Sequence, residues 1–403
     1  MASINCHRGF HRYCLPVGAL VLLFAAAQLL SGCGTFFQCE GKPSCPATPG
    51  TGTGTGTGTG SNSVDYAYVA NSATGSTSIN GYTLASGSLV ATTGSPFALG
   101  FSPSAMVVTP ANTYLYMASD AALNTVNPGV GNIYGYSIGT GGALSTLPIG
   151  DPLENESATS IAISPDGQWL FALNTDTLSL EEYSITSTTG LLTTYTSYPI
   201  TGKLGQPVTP ASVKVSPNGN YIVVSLGTAG AETFSFNTTT GMATFSTQIS
   251  PPVAASGIFA AAFDSNGYLY CVGTSGLQVF STATSGGQVF MNSYATGKGA
   301  RSIVINTAST YLYVGNESDG TISGYAIGTS AALTALTGSP YTAPTLVNAL
   351  ARDSTSAYIL ASGYNATSGI QLYSIGSTGA LKASGSAGSG ILPAIPGAIA
   401  ATH

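Results

Sequence analysis

Charged side chains are scarce in this sequence. Aspartate, glutamate, lysine and arginine make up 6% of its 403 residues, against roughly 25% in ordinary soluble domains. Glycine, serine and threonine take their place. Such a composition suits closely stacked, secreted β structure. The balance is acidic, with 15 acidic and 9 basic residues, which argues against a nucleic acid partner because phosphates need cations.

Histidine is nearly absent, with three residues, His7, His11 and His403. A general acid or base needs a group that titrates near the working pH, and histidine is the side chain best suited to this. Two of the three lie in a segment that we expect to be removed from the mature chain. Acid–base chemistry therefore falls to carboxylates and His403.

Apolar residues at helical spacing are also missing, and a strand repeat stands in their place. Short apolar runs flank a turn, Ser164-Pro165-Asp166-Gly167, where proline presets one φ and glycine accepts a positive one. Equivalent aromatic positions recur at intervals of 48, 55, 52, 47, 43 and 47 residues: Tyr66, Tyr114, Trp169, Tyr221, Tyr268, Tyr311 and Tyr358. This period predicts an all-β, seven-bladed β-propeller with four-stranded blades.

Residues 64–403 are predicted to form this propeller as one domain. Its first blade lacks a first strand at the N-terminal end, and residues 396–403 parallel residues 103–110 in sequence. We expect the C-terminal segment to supply the missing strand. Pairing the two chain ends would close the ring and remove exposed strand edges.

The first 32 residues are predicted to be an export signal. Arg8 and Arg12 precede an apolar run that is too short for a permanent membrane span. Leu30-Ser31-Gly32-Cys33 resembles a bacterial lipobox, in which the signal is cut before the cysteine and its thiol takes a lipid. An ordinary signal peptide with a chance cysteine is the alternative. We therefore expect a lipid on Cys33 and a location in the bacterial envelope, facing the periplasm or the surface.

Residues 33–63 are predicted to be the lipidated cysteine and a flexible tether, because five Thr-Gly pairs bury too little apolar surface to order the backbone. Cys39 and Cys45 fall in this tether, as a small disulfide loop or as two free thiols. Cys271 is expected to be a buried small hydrophobe. Removing Arg8 and Arg12 leaves seven basic against 15 acidic residues, a formal charge of −8, so the lipid would provide the anchoring.

The repeat resembles a known family. Residues 66–71 (YAYVAN) and 311–316 (YLYVGN) are similar to the Tyr-Val-Thr-Asn repeats of lactonase-type seven-bladed propellers. The resemblance implies phosphogluconolactonase-like enzymes as relatives, in which a Pro-Arg-His entry to a blade pairs with Asn-Glu after the next strand. Here Arg301 and Glu317 match that pattern, while Ser302 replaces the histidine. Arg301 would polarise a lactone carbonyl and Glu317 would activate water; an exposed ion pair is the alternative.

Blade topology places other polar residues on the same face. First strands begin where the turns between second and third strands lie, so the predicted binding rim consists of Glu154, Glu156, Asn174, Asp176, Lys203 and Asp319. The segments that start at Asn174 and at Glu317 do not supply enough oxygen ligands to surround a calcium ion. We therefore expect neither a metal ion nor a cofactor. Lys214 and Arg352 lie within first strands, where an inter-blade ion pair is favoured over an open channel position.

Two functions follow from these patterns. The favoured one is a monomeric, lipid-anchored scaffold, without enzymatic activity, that binds a small sugar-like ligand, glycan, peptide or envelope protein across the rim. The alternative is a hydrolase that opens a sugar lactone with Arg301 and Glu317. A phosphorylated gluconolactone is disfavoured as substrate, because it is cytoplasmic and dianionic while the chain is exported and acidic.

Overall fold

A computed structural model describes residues 65–73, 76–85, 87–101, 103–119, 131–147, 153–154, 156–250, 256–283, 286–363, 369–387 and 398–402. These residues form seven antiparallel sheets arranged as blades in a ring. The predicted seven-bladed propeller is confirmed. The export signal, Cys33, Cys39, Cys45 and His403 lie outside the described residues.

The blades follow one another along the chain. Blade 1 contains β1 (Tyr66–Ala73), β2 (Ser76–Ala85), β3 (Ser88–Ala91) and β4 (Phe97–Ala98). Blade 2 contains β5 (Pro103–Val108), β6 (Tyr114–Ser119), β7 (Asn132–Ile138), β8 (Leu144–Thr146) and β9 (Leu153–Glu154). Blade 3 contains β10 (Ala158–Ile163), β11 (Trp169–Asn174), β12 (Ser179–Ile185) and β13 (Leu192–Pro199). Blade 4 contains β14 (Ser212–Val215), β15 (Tyr221–Ser225), β16 (Ala231–Asn237) and β17 (Met242–Ile249).

The remaining blades repeat this pattern. Blade 5 contains β18 (Ile258–Phe263), β19 (Leu269–Gly273), β20 (Gly276–Thr282) and β21 (Gln288–Tyr294). Blade 6 contains β22 (Ala300–Ile305), β23 (Tyr311–Asn316), β24 (Thr321–Ile327), β25 (Leu333–Ala335) and β26 (Tyr341–Thr342). Blade 7 contains β27 (Ala349–Arg352), β28 (Tyr358–Ser362), β29 (Ile370–Ile375) and β30 (Leu381–Ala387), and β31 (Ile399–Ala401) follows it. The described helices are two short 3-10 turns, Thr140–Gly142 and Thr329–Ala331, and neither can cross a membrane.

The C-terminal strand closes the ring as predicted. β31 pairs antiparallel with β1, so that Ile399 lies opposite Val69 and Ala400 opposite Tyr68. The amide of Thr402 also donates to the carbonyl of Tyr66 at 2.9 Å. The innermost strands contact one another in sequence around a central channel: β5, β10, β14, β18, β22, β27 and β31.

The tight turn that follows an innermost strand is held by hydrogen bonds from side chains of the turn itself. In blade 3, Gly167 has a φ of 73° and its amide donates to the carbonyl of Ser164 at 2.9 Å. The hydroxyl of Ser164 bonds the Asp166 carboxylate at 2.5 Å and accepts from the amide of Trp169 at 3.0 Å. This network turns the chain back sharply, so that Leu170 lies opposite Ile163 in the next strand.

The repeated aromatic residues join neighbouring blades. The indole of Trp169 donates to the carbonyl of Thr238 in the next blade at 2.8 Å, and its ring lies against Gly241, where an added Cβ would clash with it. Tyr311 packs on Gly379 in the same way. The period read from the sequence therefore marks the contact between one blade's second strand and the next blade's outer hairpin.

Two strand residues carry potential nucleophiles, and the burial expected for Cys271 is confirmed. Ser137, which falls in a Gly-x-Ser-x-Gly pattern, lies in β7 and bonds the carbonyl of Ser145. Cys271 is a free cysteine in β19 without exposed surface. Burial raises the pKa of its thiol well above the usual value, so the thiolate that reacts with electrophiles is not favoured there.

Candidate functional site

The innermost strands leave two adjoining cavities along the central channel, of about 380 Å³ and about 370 Å³. We call the one lined by Arg301 and Glu317 the upper cavity and the one lined by Arg352 the lower cavity. Five residues line both and form what we call the waist of the channel: Met106, Lys214, Ile303, Leu350 and Ile399. All seven blades contribute to the upper cavity, which is the concave site a small ligand would find.

Arg301 and Glu317 form an ion pair at the wall of the upper cavity. The Nε of Arg301 donates to Oε2 of Glu317 at 3.2 Å, and the two side chains are 44% and 29% exposed. The guanidinium also lies over the ring of Phe259, at 4.0 Å from its centroid, which adds a cation–π contact. The predicted pair is therefore formed, and it remains open to a ligand in the cavity.

A bulge explains why Arg301 faces the cavity. Ala300 pairs with Asn316 and Ser302 with Gly315, so Arg301 is skipped in the ladder. A bulged residue is released from the pleat and its side chain is re-aimed. The same skip occurs at the equivalent position of three other blades, and all four skipped residues line the upper cavity: Ser104, Thr159, Phe259 and Arg301.

Ser104, Thr159 and Phe259 were missed by the sequence reasoning. They could have been identified from the sequence, because aligning the blades places each of them at the position equivalent to Arg301. Their contribution is a wall of two hydroxyls and one aromatic face. Such a lining suits a polyhydroxylated ring better than a wholly apolar ligand.

Two hydroxyls in the upper cavity lack partners among the described residues. They are the Oγ atoms of Ser212 and Ser302, which occupy equivalent positions in their blades. At the same position in blade 3, the Oγ of Ser160 accepts from the amide of Val213 at 3.1 Å. Buried polar groups are nearly always hydrogen-bonded, but both oxygens have almost no accessible surface, so a ligand would reach them only after the serine side chains rotate towards the cavity.

The expected inter-blade ion pair of the first-strand cations is wrong. Among the described residues the one ion pair is that of Arg301 with Glu317. Lys214 lines the waist instead, and desolvation lowers its pKa. Arg352 lines the lower cavity and its Nη1 donates to the carbonyl of Asp353 at 3.2 Å. Both residues therefore lie at the channel, which the sequence analysis had considered less favourable than an ion pair between blades.

The predicted rim residues do not line the upper cavity in the described structure. Asn174 is buried, and its Nδ2 donates to Glu156 at 3.0 Å while its Oδ1 accepts from the amide of Asp176. Asp319 accepts from the amide of Lys298 at 2.8 Å. Glu154 lies in β9, and the amide of Lys203 donates to the carbonyl of Ala229. Their role as a binding rim stays a prediction.

Carboxylate chemistry in the upper cavity falls to Glu317. It is the one acidic residue among the described residues that line this cavity, and the described residues include no histidine. They also contain no group of three or more His, Cys, Asp or Glu placed to hold a metal ion. The arrangement offers one carboxylate, one guanidinium and one ammonium, that of Lys214. A carboxylate base and a cationic hydrogen-bond donor are the groups that hydrolysis of an activated carbonyl requires.

Glu182 is a fully buried carboxyl outside the channel that sequence reasoning did not identify. Its Oε2 accepts from the hydroxyl of Tyr198 at 2.8 Å, and burial raises its pKa from 4.5 to about 7. The folded state thus favours the neutral carboxyl.

This raised pKa predicts a pH dependence of stability. Below pH 4.5 the Glu182 carboxyl is neutral in both states. As the pH rises towards 7 the unfolded chain ionises first, so the free energy of unfolding should fall by up to about 3 kcal/mol and then level off. Denaturant titrations below pH 4.5 and above pH 7 test this. Glu182→Gln, which keeps the acceptor for Tyr198, should remove that part of the fall; an identical pH dependence in the variant would contradict the assignment.

The family comparison concerns the first four blades, which do not include Arg301 and Glu317. Residues 61–255, which span the first four blades, match the family model described as "Lactonase, 7-bladed beta-propeller". The resemblance read from the strand repeat is thereby confirmed. No curated protein matches the sequence.

Solved structures share the fold over most of the chain. A putative 6-phosphogluconolactonase from Bacteroides uniformis has a TM-score of 0.68 at 16% identity, covering 84% of this chain and 99% of that one. The periplasmic gluconolactonase PpgL of Pseudomonas aeruginosa has a TM-score of 0.68 at 16% identity, covering 85% and 99%. A putative 6-phosphogluconolactonase from Bacteroides fragilis has a TM-score of 0.65 at 15% identity, covering 85% and 99%. At this identity the likeness concerns the fold.

Proposed function

We propose that this lactonase-family propeller is a hydrolase that opens a sugar lactone in its upper cavity. The observation that carries the proposal is the Arg301 and Glu317 pair, 3.2 Å apart and open to the cavity. The family match and the lactonase names of its structural neighbours support the hydrolase over the binding scaffold. The binding scaffold is the alternative, and it would be supported if ligands bind to the protein and are not hydrolysed.

The proposed reaction uses both members of the pair. The Glu317 carboxylate takes a proton from a water molecule, whose oxygen attacks the lactone carbonyl carbon. Negative charge develops on the carbonyl oxygen, where the guanidinium of Arg301 donates hydrogen bonds. The tetrahedral intermediate then collapses, the ring carbon–oxygen bond breaks, and the departing oxygen receives the proton from Glu317. The product is an open-chain sugar acid.

The substrate's hydroxyl groups need partners as well. The Oγ atoms of Ser302 and Ser212 have none among the described residues, and Ser104 and Thr159 lie in the same wall. A sugar lactone presents several hydroxyl groups around its ring. The oxygens of Ser302 and Ser212 are shielded from the cavity; once these side chains rotate towards it, their hydrogen bonds to the ring would hold the carbonyl beside Arg301, which is the positioning that such catalysis needs.

A direct assay tests the proposal. Opening of D-glucono-1,5-lactone and D-glucono-1,4-lactone releases acid, which a pH-stat records against the buffer rate. We expect saturable turnover above that rate. Saturable binding of the lactones without turnover would refute the hydrolase and favour the binding scaffold.

We also propose that the chain is exported and held at the membrane by a lipid on Cys33. The support is the Leu30-Ser31-Gly32-Cys33 sequence, and a structural neighbour is itself described as periplasmic. Wild-type protein should incorporate labelled palmitate and sediment with membranes. Cys33→Ala should abolish both, and Cys271→Ala is the matched control. Palmitate labelling that survives Cys33→Ala would contradict the proposal.

A further inference from the structure

Lys214 is a charged residue whose position the proposed reaction does not explain. The other four residues of the waist are apolar. The Lys214 side chain is exposed to the channel space, yet the innermost strands surround it, and this desolvation lowers its pKa. Placing a cation in such surroundings costs free energy unless an opposite charge accompanies it.

The described residues provide no such charge. Lys214 has neither an ion pair nor a hydrogen bond among them. The upper cavity's described lining contains one carboxylate, Glu317, which already holds Arg301, and the lower cavity's described lining contains none. Lys214 and Arg301 together with Glu317 leave the upper cavity with a net charge of +1.

Lys214 shares its side of the strand with Ser212. Ser212 and Lys214 are two residues apart in β14, so both lie on the same side of that strand. The Oγ of Ser212 also lacks a partner among the described residues. That oxygen has almost no accessible surface, so the ammonium of Lys214 is the donor of this strand that the cavity exposes, and a charged donor of this kind suits a carboxylate.

We propose that Lys214 binds a carboxylate on the substrate, so that the propeller selects sugar lactones that carry a second, ionised carboxyl group. This inference rests on the proposed hydrolase function and names its substrate class. A monoanion balances the net charge of the upper cavity, whereas a phosphate dianion would leave an excess negative charge beside Glu317. The specificity would come from the waist, and the reaction from Arg301 and Glu317.

The charges are distributed unevenly, so the acidic composition of the chain does not exclude an anionic substrate. The acidic chain as a whole argued against an anionic substrate. The described residues, however, include six basic side chains, and three of them line the channel: Lys214, Arg301 and Arg352. The potential inside a cleft follows from the charges that line it, so an acidic protein can hold a cationic channel.

Paired substrates test the inference. D-glucaro-1,4-lactone and D-glucono-1,4-lactone share the ring and differ in a carboxylate or a hydroxymethyl group at C6. Wild type should prefer the carboxylate lactone in kcat/KM, and Lys214→Met should reduce that preference by about tenfold to a hundredfold, the usual effect of losing a charged hydrogen bond. Lys382→Met, on the exposed outer strand β30, is the matched control and should keep the wild-type ratio.

A stability measurement separates binding from a structural role. Lys214→Met removes an unpaired cation from an apolar waist, so its Tm should equal or exceed that of wild type. An unchanged substrate ratio, with or without a fall in Tm, would overturn the inference while leaving the hydrolase intact. A Lys214-dependent preference for a phosphorylated lactone greater than that for the carboxylate lactone would overturn it too.

Binding of products makes the inference independent of turnover. Titration calorimetry with D-glucarate and D-gluconate should show tighter binding of glucarate, and Lys214→Met should reduce that difference. If no lactone is opened but this difference is found, the hydrolase fails and the anion site stands. Equal affinities in wild type would overturn the anion site.

Discussion

Replacing Glu317 by glutamine is expected to lower kcat/KM for lactone opening by about a hundredfold to ten-thousandfold, the range that general base catalysis contributes. The substitution keeps the size of the side chain and leaves an oxygen to accept from the Nε of Arg301. It removes the group that takes the proton from water. Because no other acidic residue lies among the described residues of the upper cavity, none is placed there to replace it.

The control is Glu181→Gln in β12, whose carboxylate accepts from the hydroxyls of Ser179 and Ser197. It lies outside the described lining of the channel and should keep the wild-type rate. Both proteins should show wild-type Tm values, since the ion pair of Glu317 is partly exposed and contributes little to stability. A Glu317→Gln enzyme with full activity would exclude this carboxylate as the base.

Deleting residues 398–403 should prevent stable folding or cause aggregation. The deletion removes β31 and its pairing with β1, together with the 2.9 Å bond from the amide of Ala70 to Ala398. It also uncovers Tyr68, which packs with Ala398 and Ala400 in one apolar cluster. Each buried unsatisfied backbone group costs about 1 to 3 kcal/mol, so several together rival a total stability of about 5 to 15 kcal/mol.

Thermal denaturation and size-exclusion chromatography measure this effect. Removing His403 alone leaves β31 complete and serves as the control. A synthetic peptide of residues 396–403, added to the deletion variant, should restore part of the lost stability by occupying the open edge of blade 1. A deletion variant with the wild-type Tm would contradict the closure of the ring by β31.

The fold could be predicted because its determinants are local and repeated. The turn at Ser164 to Gly167 is specified by four consecutive residues, and its copies set the register of the strands on either side. The aromatic period is preserved because Trp169 and most of its equivalents pack on a glycine of the next blade. Even the closing strand followed from a local comparison, since residues 396–403 repeat a pattern present in blade 2.

The site could be predicted only within one blade. Arg301 lies in β22 and Glu317 directly follows the neighbouring strand β23, so their proximity follows from antiparallel pairing. Contacts across the channel depend on how seven blades tilt and pack, which the period does not specify. The environment of Lys214 therefore could not be predicted. An ion pair between blades was expected, but Lys214 lies unpaired in the waist. Likewise, the sequence did not predict how far residues such as Asn174 lie from the channel.

The most direct test is a crystal structure of the Glu317→Gln variant with D-glucono-1,4-lactone bound. We predict that the lactone occupies the upper cavity, with its carbonyl oxygen within hydrogen-bonding distance of the Arg301 guanidinium and a water molecule between its carbonyl carbon and side chain 317. A lactone bound in the lower cavity or on the outer strands, with Arg301 free of ligand, would contradict the account.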